Sequence, residues 1–177
     1  MNNNYILEPF IKKEQIADKV KELGEKITSD YAGEELFLVG VLKGSWIFMA
    51  DLVRYIDLPL EVSFISVSSY VGQTTKSSGV VRLLCDIDKP LNDRNVILVE
   101  DIVDTGLTLS YLKKLLEVRN PKSFKICALL DKPERRISDI SADYVGFTIP
   151  DEFVVGYGLD YNGYFRNLPD ISILKFK

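Results

Sequence analysis

Glu100, Asp101 and Asp104 fall close together in the stretch VILVEDIVDTGLT (96–108), which ends on Thr105-Gly106-Leu107-Thr108. Carboxylates move protons, hold hard cations and bind hydroxyls. A short Thr- and Gly-containing run ahead of a helix offers hydroxyls and free backbone N–H groups to a phosphate. The two chemistries conflict for a bare anion, which the acids would repel. They are compatible when the ligand carries a phosphate at one end and an acid-seeking group at the other. A ribose cis-diol, a bound Mg²⁺ or a sugar carbon becoming cationic would serve. A ribose 5-phosphate with a leaving group at its anomeric carbon meets every condition. The plainer reading is an Asp-rich loop that caps a helix. Three acids without a basic partner would repel one another there unless a ligand or metal compensates. The stretch is not a P-loop, because no G-x-x-x-x-G-K-[ST] pattern is present.

These residues need a strand to deliver them and a helix to follow. VILV is a continuous apolar run, the mark of a strand covered on both faces, and LTLSYLKKLLEVR (107–119) reads as the helix after it. The same reading gives helices over 11–28 and 45–56, from apolar residues at helical spacing. Strands are predicted over 36–42, 60–70, 79–87, 95–100, 122–131 and 143–149. Strand alternating with helix points to an α/β fold around a mainly parallel sheet flanked by helices, with 60–70 and 79–87 as an antiparallel excursion. Ligands of such sheets bind outside the carboxyl ends of the strands. Lys43-Gly44 and Lys132 each follow a predicted strand and meet that rule. With no linker or repeat, residues 1–177 are expected to form one domain, long enough to bury roughly 70% of its unfolded surface.

Composition narrows the chemistry. The chain has 22 Lys and Arg, 26 Asp and Glu and no histidine. Histidine-dependent triads and His-ligated zinc are therefore excluded. A net charge of -4 without a basic block disfavours a nucleic-acid partner. Cys85 and Cys127 each sit in an apolar run with no CxxC spacing, and are expected to be buried structural thiols in a reducing compartment. The start, MNNNYILEPF, lacks the pattern of a signal peptide, and no run of about 18 apolar residues offers a membrane span. A cytoplasmic protein is expected.

VILVEDIVDTGLT resembles the phosphoribosyl-pyrophosphate signature of type I phosphoribosyltransferases. Four further segments narrow the resemblance to hypoxanthine-guanine phosphoribosyltransferases: LVGVLKGSWIFMADL (38–52), SSYVGQTTKSSG (68–79), LLDKPERR (129–136) and FTIPDEFVVGYGLDYNGYFRNLP (147–169). Five segments in family order cover nearly the whole chain. The resemblance implies the type I phosphoribosyltransferase fold, with a small hood and a mobile hairpin lid over 68–79, and a homodimer or homotetramer. It also implies transfer of a phosphoribosyl group from phosphoribosyl pyrophosphate to a 6-oxopurine, with Mg²⁺ as cofactor.

The resemblance carries residue roles as well. Asp104 is the candidate for the proton at purine N7. Glu100 and Asp101 would hold the ribose hydroxyls, directly or through magnesium. Thr105, Gly106, Leu107 and Thr108 would cradle the 5-phosphate. Lys43 and Gly44 would meet pyrophosphate, after a non-proline cis peptide at Leu42–Lys43. Ser69 and Tyr70 would stand at the lid's tip. Lys132 would donate to the purine 6-oxo group, Phe153 would stack on the base and Val154 would offer backbone groups to its edge. Asp160 would bind a second magnesium, and Arg166 would reach the pyrophosphate. Core packing is the reading for Tyr157 and Phe165. Two rivals follow from the same residues. One is a regulator that keeps the fold and binds RNA, against which the acidic balance counts. The other is an adenine- or uracil-specific relative, which Lys132 and Phe153 disfavour.

Overall fold

The computed structural model describes residues 5–69 and 81–177. Its centre is a six-stranded sheet built from β2 (Leu36–Leu42), β3 (Leu60–Ser69), β4 (Val81–Cys85), β5 (Asn95–Val103), β6 (Ser123–Asp131) and β7 (Tyr144–Thr148). The order is β4-β3-β2-β5-β6-β7, and β4 alone of these six runs antiparallel, against β3. Three of these strands explain the continuous apolar runs, because they alternate between two buried faces. Phe37, Val39, Val96, Leu98, Ile126 and Ala128 enter one core with Leu109, Leu112 and Leu116. These three leucines line the buried face of α3 (Leu107–Glu117). Leu36, Leu38, Ile97, Val99, Cys127 and Leu129 enter the other core. That core takes Ile16, Val20, Leu23 and Ile27 from α1 (Lys13–Asp30), and Phe48, Met49 and Leu52 from α2 (Trp46–Leu52).

A second, antiparallel sheet joins β1 (Tyr5–Ile11), β9 (Ile171–Phe176) and β8 (Val154–Val155), in the order β1-β9-β8. Ile11, Val154 and Ile171 place it on the α1 and α2 side of the main sheet. This is the hood the resemblance implies.

Several predicted bounds shift. The first helix begins at Lys13, because Ile11 pairs with Ile171 in the small sheet. The second is shorter than 45–56: it ends at Leu52 and tightens into a 3₁₀ turn over Val53–Tyr55. The strand expected over 79–87 is Val81–Cys85. Cys127 is buried as expected, but Cys85 is exposed. It ends the edge strand β4, where Leu84 is also 60% exposed, so the apolar run there is not matched by an overlying core. The most consequential shift is in β5, which continues past Glu100 to Val103, paired with β6 through Val103↔Asp131. Glu100 and Asp101 are strand residues, and the loop to α3 is Asp104–Gly106.

Candidate active site

Glu100 and Asp101 are fixed by the strand that carries them. Glu100 is 7% exposed, the Asp101 backbone N–H donates to its Oε1 at 3.1 Å, and the Ile102 N–H donates to Asp101 Oδ1 at 2.9 Å. Burial, reinforced by the neighbouring Asp101 charge, pushes the Glu100 carboxyl well above the ordinary carboxylate range. Burial raises Asp101 as well, and the Arg166 charge acts against that shift. The pair therefore favours one negative charge over two until a cation or a hydroxyl-bearing ligand arrives.

The Leu42–Lys43 peptide is cis, as the resemblance implies. The following Gly44 lies directly against the Asp101 carboxylate, in the space a Cβ would need. Only glycine lets the Lys43-Gly44 loop reach the acids at this distance. Ser45 is buried, and its hydroxyl donates to the Val41 carbonyl at 2.7 Å, which ties the loop back onto β2. Lys43 itself is exposed.

Beyond β5 the chain turns through Asp104 and Thr105 to Gly106, which stands at φ +80° ahead of α3. This left-handed geometry suits glycine, and a Cβ there would strike Ser138, Ile140 and Arg136. The segment after β6 supports this loop. Arg136 Nε donates to the Asp104 carbonyl at 3.1 Å, the Ile137 N–H donates to the Thr105 carbonyl at 3.1 Å, and the Ser138 hydroxyl donates to the same carbonyl at 3.2 Å. Arg136 also pairs with Asp131. Sequence reasoning passed over these residues, because RR after a Lys-Pro turn reads only as a pair of surface charges.

A cleft opens over the strand ends. Glu100, Asp101, Asp104, Thr105, Gly106 and Thr108 line it together with Gly44. Six residues predicted from one stretch, and a seventh from another strand end, thus share one cavity.

Lys132 and Phe153 stand apart from that lining. Lys132 is 6% exposed, its N–H donates to the Val103 carbonyl at 2.9 Å, and its Nζ donates to the Glu152 carbonyl at 2.5 Å. An ammonium has three donors, so others remain for a ligand. Phe153 is 49% exposed and meets Tyr161 edge-on, with centroids 5.8 Å apart. Val154 is buried in β8. Asp160 and Arg166 pair with each other at 2.5 Å, and Asp160 also accepts the Gly163 N–H at 2.7 Å. Arg166 donates to the Gly158 carbonyl at 2.5 Å. Tyr157 is buried, with its hydroxyl on Asp51 at 2.6 Å, which fits the packing reading. Phe165 is partly buried and meets Tyr5 edge-on. Of the predicted lid, Ser68 and Ser69 end β3 opposite Arg82 and Val81, and the Ser69 side chain, Tyr70 and 71–79 lie outside the described residues.

Among the described residues no three His, Cys, Asp or Glu side chains gather as a complete metal cage. Mg²⁺ does not require one. It commonly takes one or two carboxylates and completes its shell with substrate oxygens and water. Glu100 and Asp101, side by side at the cleft, would supply two such carboxylates once ionised.

Residues 11–162 match the family model of the phosphoribosyl transferase domain. The hypoxanthine-guanine phosphoribosyltransferase of Bacillus subtilis (strain 168) is 53% identical over 166 residues, covering 94% of this chain and 92% of that protein. A crystal structure of a hypoxanthine-guanine phosphoribosyltransferase from Bacillus anthracis, with a HEPES molecule in its active site, superposes with a TM-score of 0.90. It is 48% identical and covers 97% of this chain and 99% of its own. A hypoxanthine phosphoribosyltransferase from Staphylococcus aureus gives a TM-score of 0.91 at 49% identity, covering 95% of this chain and 91% of its own. A family model matched over residues 11–162 and relatives about half identical along nearly the whole chain show that the chain belongs to the hypoxanthine-guanine phosphoribosyltransferases.

Proposed function

We propose that this enzyme transfers the 5-phosphoribosyl group from phosphoribosyl pyrophosphate to hypoxanthine and guanine, releasing pyrophosphate and the nucleoside monophosphate. The observation that carries this reading is the cleft in which buried Glu100 and half-buried Asp101 adjoin Thr105, Gly106 and Thr108. A ligand with a 5-phosphate and ribose hydroxyls satisfies both halves of that cleft. Residues 1–177 act as one phosphoribosyltransferase domain, supported by the small sheet sharing a core with the large one.

The family resemblance, with the placement of the acids and the cradle in one cleft, supports the following roles. Thr105, Gly106, Leu107 and Thr108 bind the 5-phosphate with hydroxyls and backbone N–H groups at the start of α3. Glu100 and Asp101 hold the ribose hydroxyls, and with Asp160 they are the residues that would hold magnesium. Magnesium held there would supply positive charge to the departing pyrophosphate. Lys43, the Gly44 backbone and Arg166 supply the rest, as preorganised electrostatic stabilisation of a loose, oxocarbenium-like transition state. Lys132 donates to the purine 6-oxo group, Phe153 stacks on the base, Val154 offers its backbone and Asp104 moves the proton at N7. Ser69 and Tyr70 belong to a lid that excludes water from the sugar cation. The enzyme works in the cytoplasm, a reading supported by its two free thiols, Cys85 and Cys127. Among the described residues no helix is long and apolar enough to cross a membrane.

The test is product formation from phosphoribosyl pyrophosphate and hypoxanthine, run with Mg²⁺ and with excess chelator, beside a gel shift with RNA. Metal-dependent release of pyrophosphate without an RNA shift supports the proposal. An RNA shift with no turnover would replace it with the regulator reading.

A further inference from the structure

Arg135 ends the 3₁₀ turn Pro133–Arg135, just after Lys132, and none of the roles above uses it. Its Nε stands 2.8 Å from Asp104 Oδ1, and its NH1 stands 3.5 Å from Asp151 Oδ1. Asp151 lies in turn 3.9 Å from Lys132 Nζ. The guanidinium thus joins the loop after β5 to the loop after β7, between the residue assigned to the proton and the residue assigned to the purine oxygen. Asp104 Oδ1 is itself sealed from water and finds no well-aligned hydrogen bond. The Arg135 cation at 2.8 Å is a charge contact rather than a directed bond, and it is what compensates that oxygen. The neighbouring Arg136 grips the other end of the same residue, at the Asp104 carbonyl.

Resting on the proposed role of Asp104, we propose that Arg135 is a positioning residue for this carboxylate. It holds Oδ1 and leaves Oδ2 as the oxygen presented to the purine. A bare structural ion pair is a poor alternative, because both side chains are more than 40% exposed and such pairs add little to stability. The energetic sense of the contact is orientation. A catalytic group displaced by about 1 Å can lose on the order of 100-fold in rate.

The test compares Arg135→Ala, Arg135→Lys, Asp104→Asn and the Arg135→Ala/Asp104→Asn double variant, with kcat and both KM values measured. Arg135→Ala should lower kcat by about 10- to 100-fold and leave the KM for phosphoribosyl pyrophosphate within about twofold, a split that lost folding would not produce. Arg135→Lys should regain part of the loss, because it restores the charge. In the Asp104→Asn background, Arg135→Ala should cost nothing further, the signature of two residues acting as one unit. Wild-type kcat in Arg135→Ala, or losses that multiply in the double variant, would overturn the positioning role. Wild-type kcat in Asp104→Asn would instead overturn the role of Asp104 on which it rests. Should Arg135→Ala not fold, Arg135→Gln, which keeps the shape and removes the charge, takes its place and is judged by the same outcomes.

Discussion

Burial beside the Asp101 charge holds the Glu100 carboxyl well above the ordinary carboxylate range, and this has a consequence for stability. A carboxyl whose folded value lies above its unfolded one binds more protons in the folded state. The protein without ligand therefore loses stability as pH rises past the unfolded value and towards the folded one. Glu100→Gln keeps an acceptor for the Asp101 N–H and removes the titration. Its Tm without metal should exceed wild type at pH 8 and approach it at pH 4, at roughly 2–4 °C for each kcal/mol recovered. A Tm difference that does not change with pH would contradict the assignment. Asp104→Asn should lower kcat by about 10²–10⁴-fold, the range of general acid–base catalysis, and unchanged kcat in folded protein would refute the proton role. The acids, the cradle and Lys132 were legible in the sequence because each sits at a strand's carboxyl end. Arg135 and Arg136 were not, because what they grip lies on another loop, 32 residues away for Arg136 and the Asp104 carbonyl.

At the scale of elements, β5 matters most, because its continuation to Val103 sets Glu100 and Asp101 in a hydrogen-bonded ladder instead of a loop. The apolar run VILV announced the strand, but the change to charged residues hid its last turn of the ladder. The small sheet was harder still to read. β8 has two residues, and β1 carries Pro9 and fully buries Ile11 alone, so neither shows a clean apolar period. Both are made by their pairing with β9. The loop between β2 and α2 gives a direct test. Gly44→Ala places a methyl group against the Asp101 carboxylate, and forced overpacking of this kind costs about 1–3 kcal/mol. The variant should melt lower and show a raised KM for phosphoribosyl pyrophosphate. Wild-type values for both would mean that the loop does not approach the acids as described.

On the whole molecule, the alternation of strand and helix made the parallel sheet and its two covered faces predictable, and the site fell at the strand ends where such sheets bind ligands. Surface apolar groups are less well explained by a lone chain. Trp46 and Tyr55, at the two ends of the segment running from α2 through the 3₁₀ turn, are 48% and 41% exposed. A homodimer or homotetramer that covers them is expected, and sedimentation of the wild-type chain as a monomer at micromolar concentration would count against it. The central claim is that the enzyme selects 6-oxopurines through Lys132. It is tested most directly by measuring kcat/KM for hypoxanthine, guanine and adenine with saturating phosphoribosyl pyrophosphate and Mg²⁺, in wild type and in Lys132→Ala. A buried charged donor without its acceptor should give at least about 10- to 100-fold discrimination against adenine, and Lys132→Ala should erode that preference while phosphoribosyl pyrophosphate still binds. Comparable turnover of adenine and hypoxanthine by the wild-type enzyme would contradict the account.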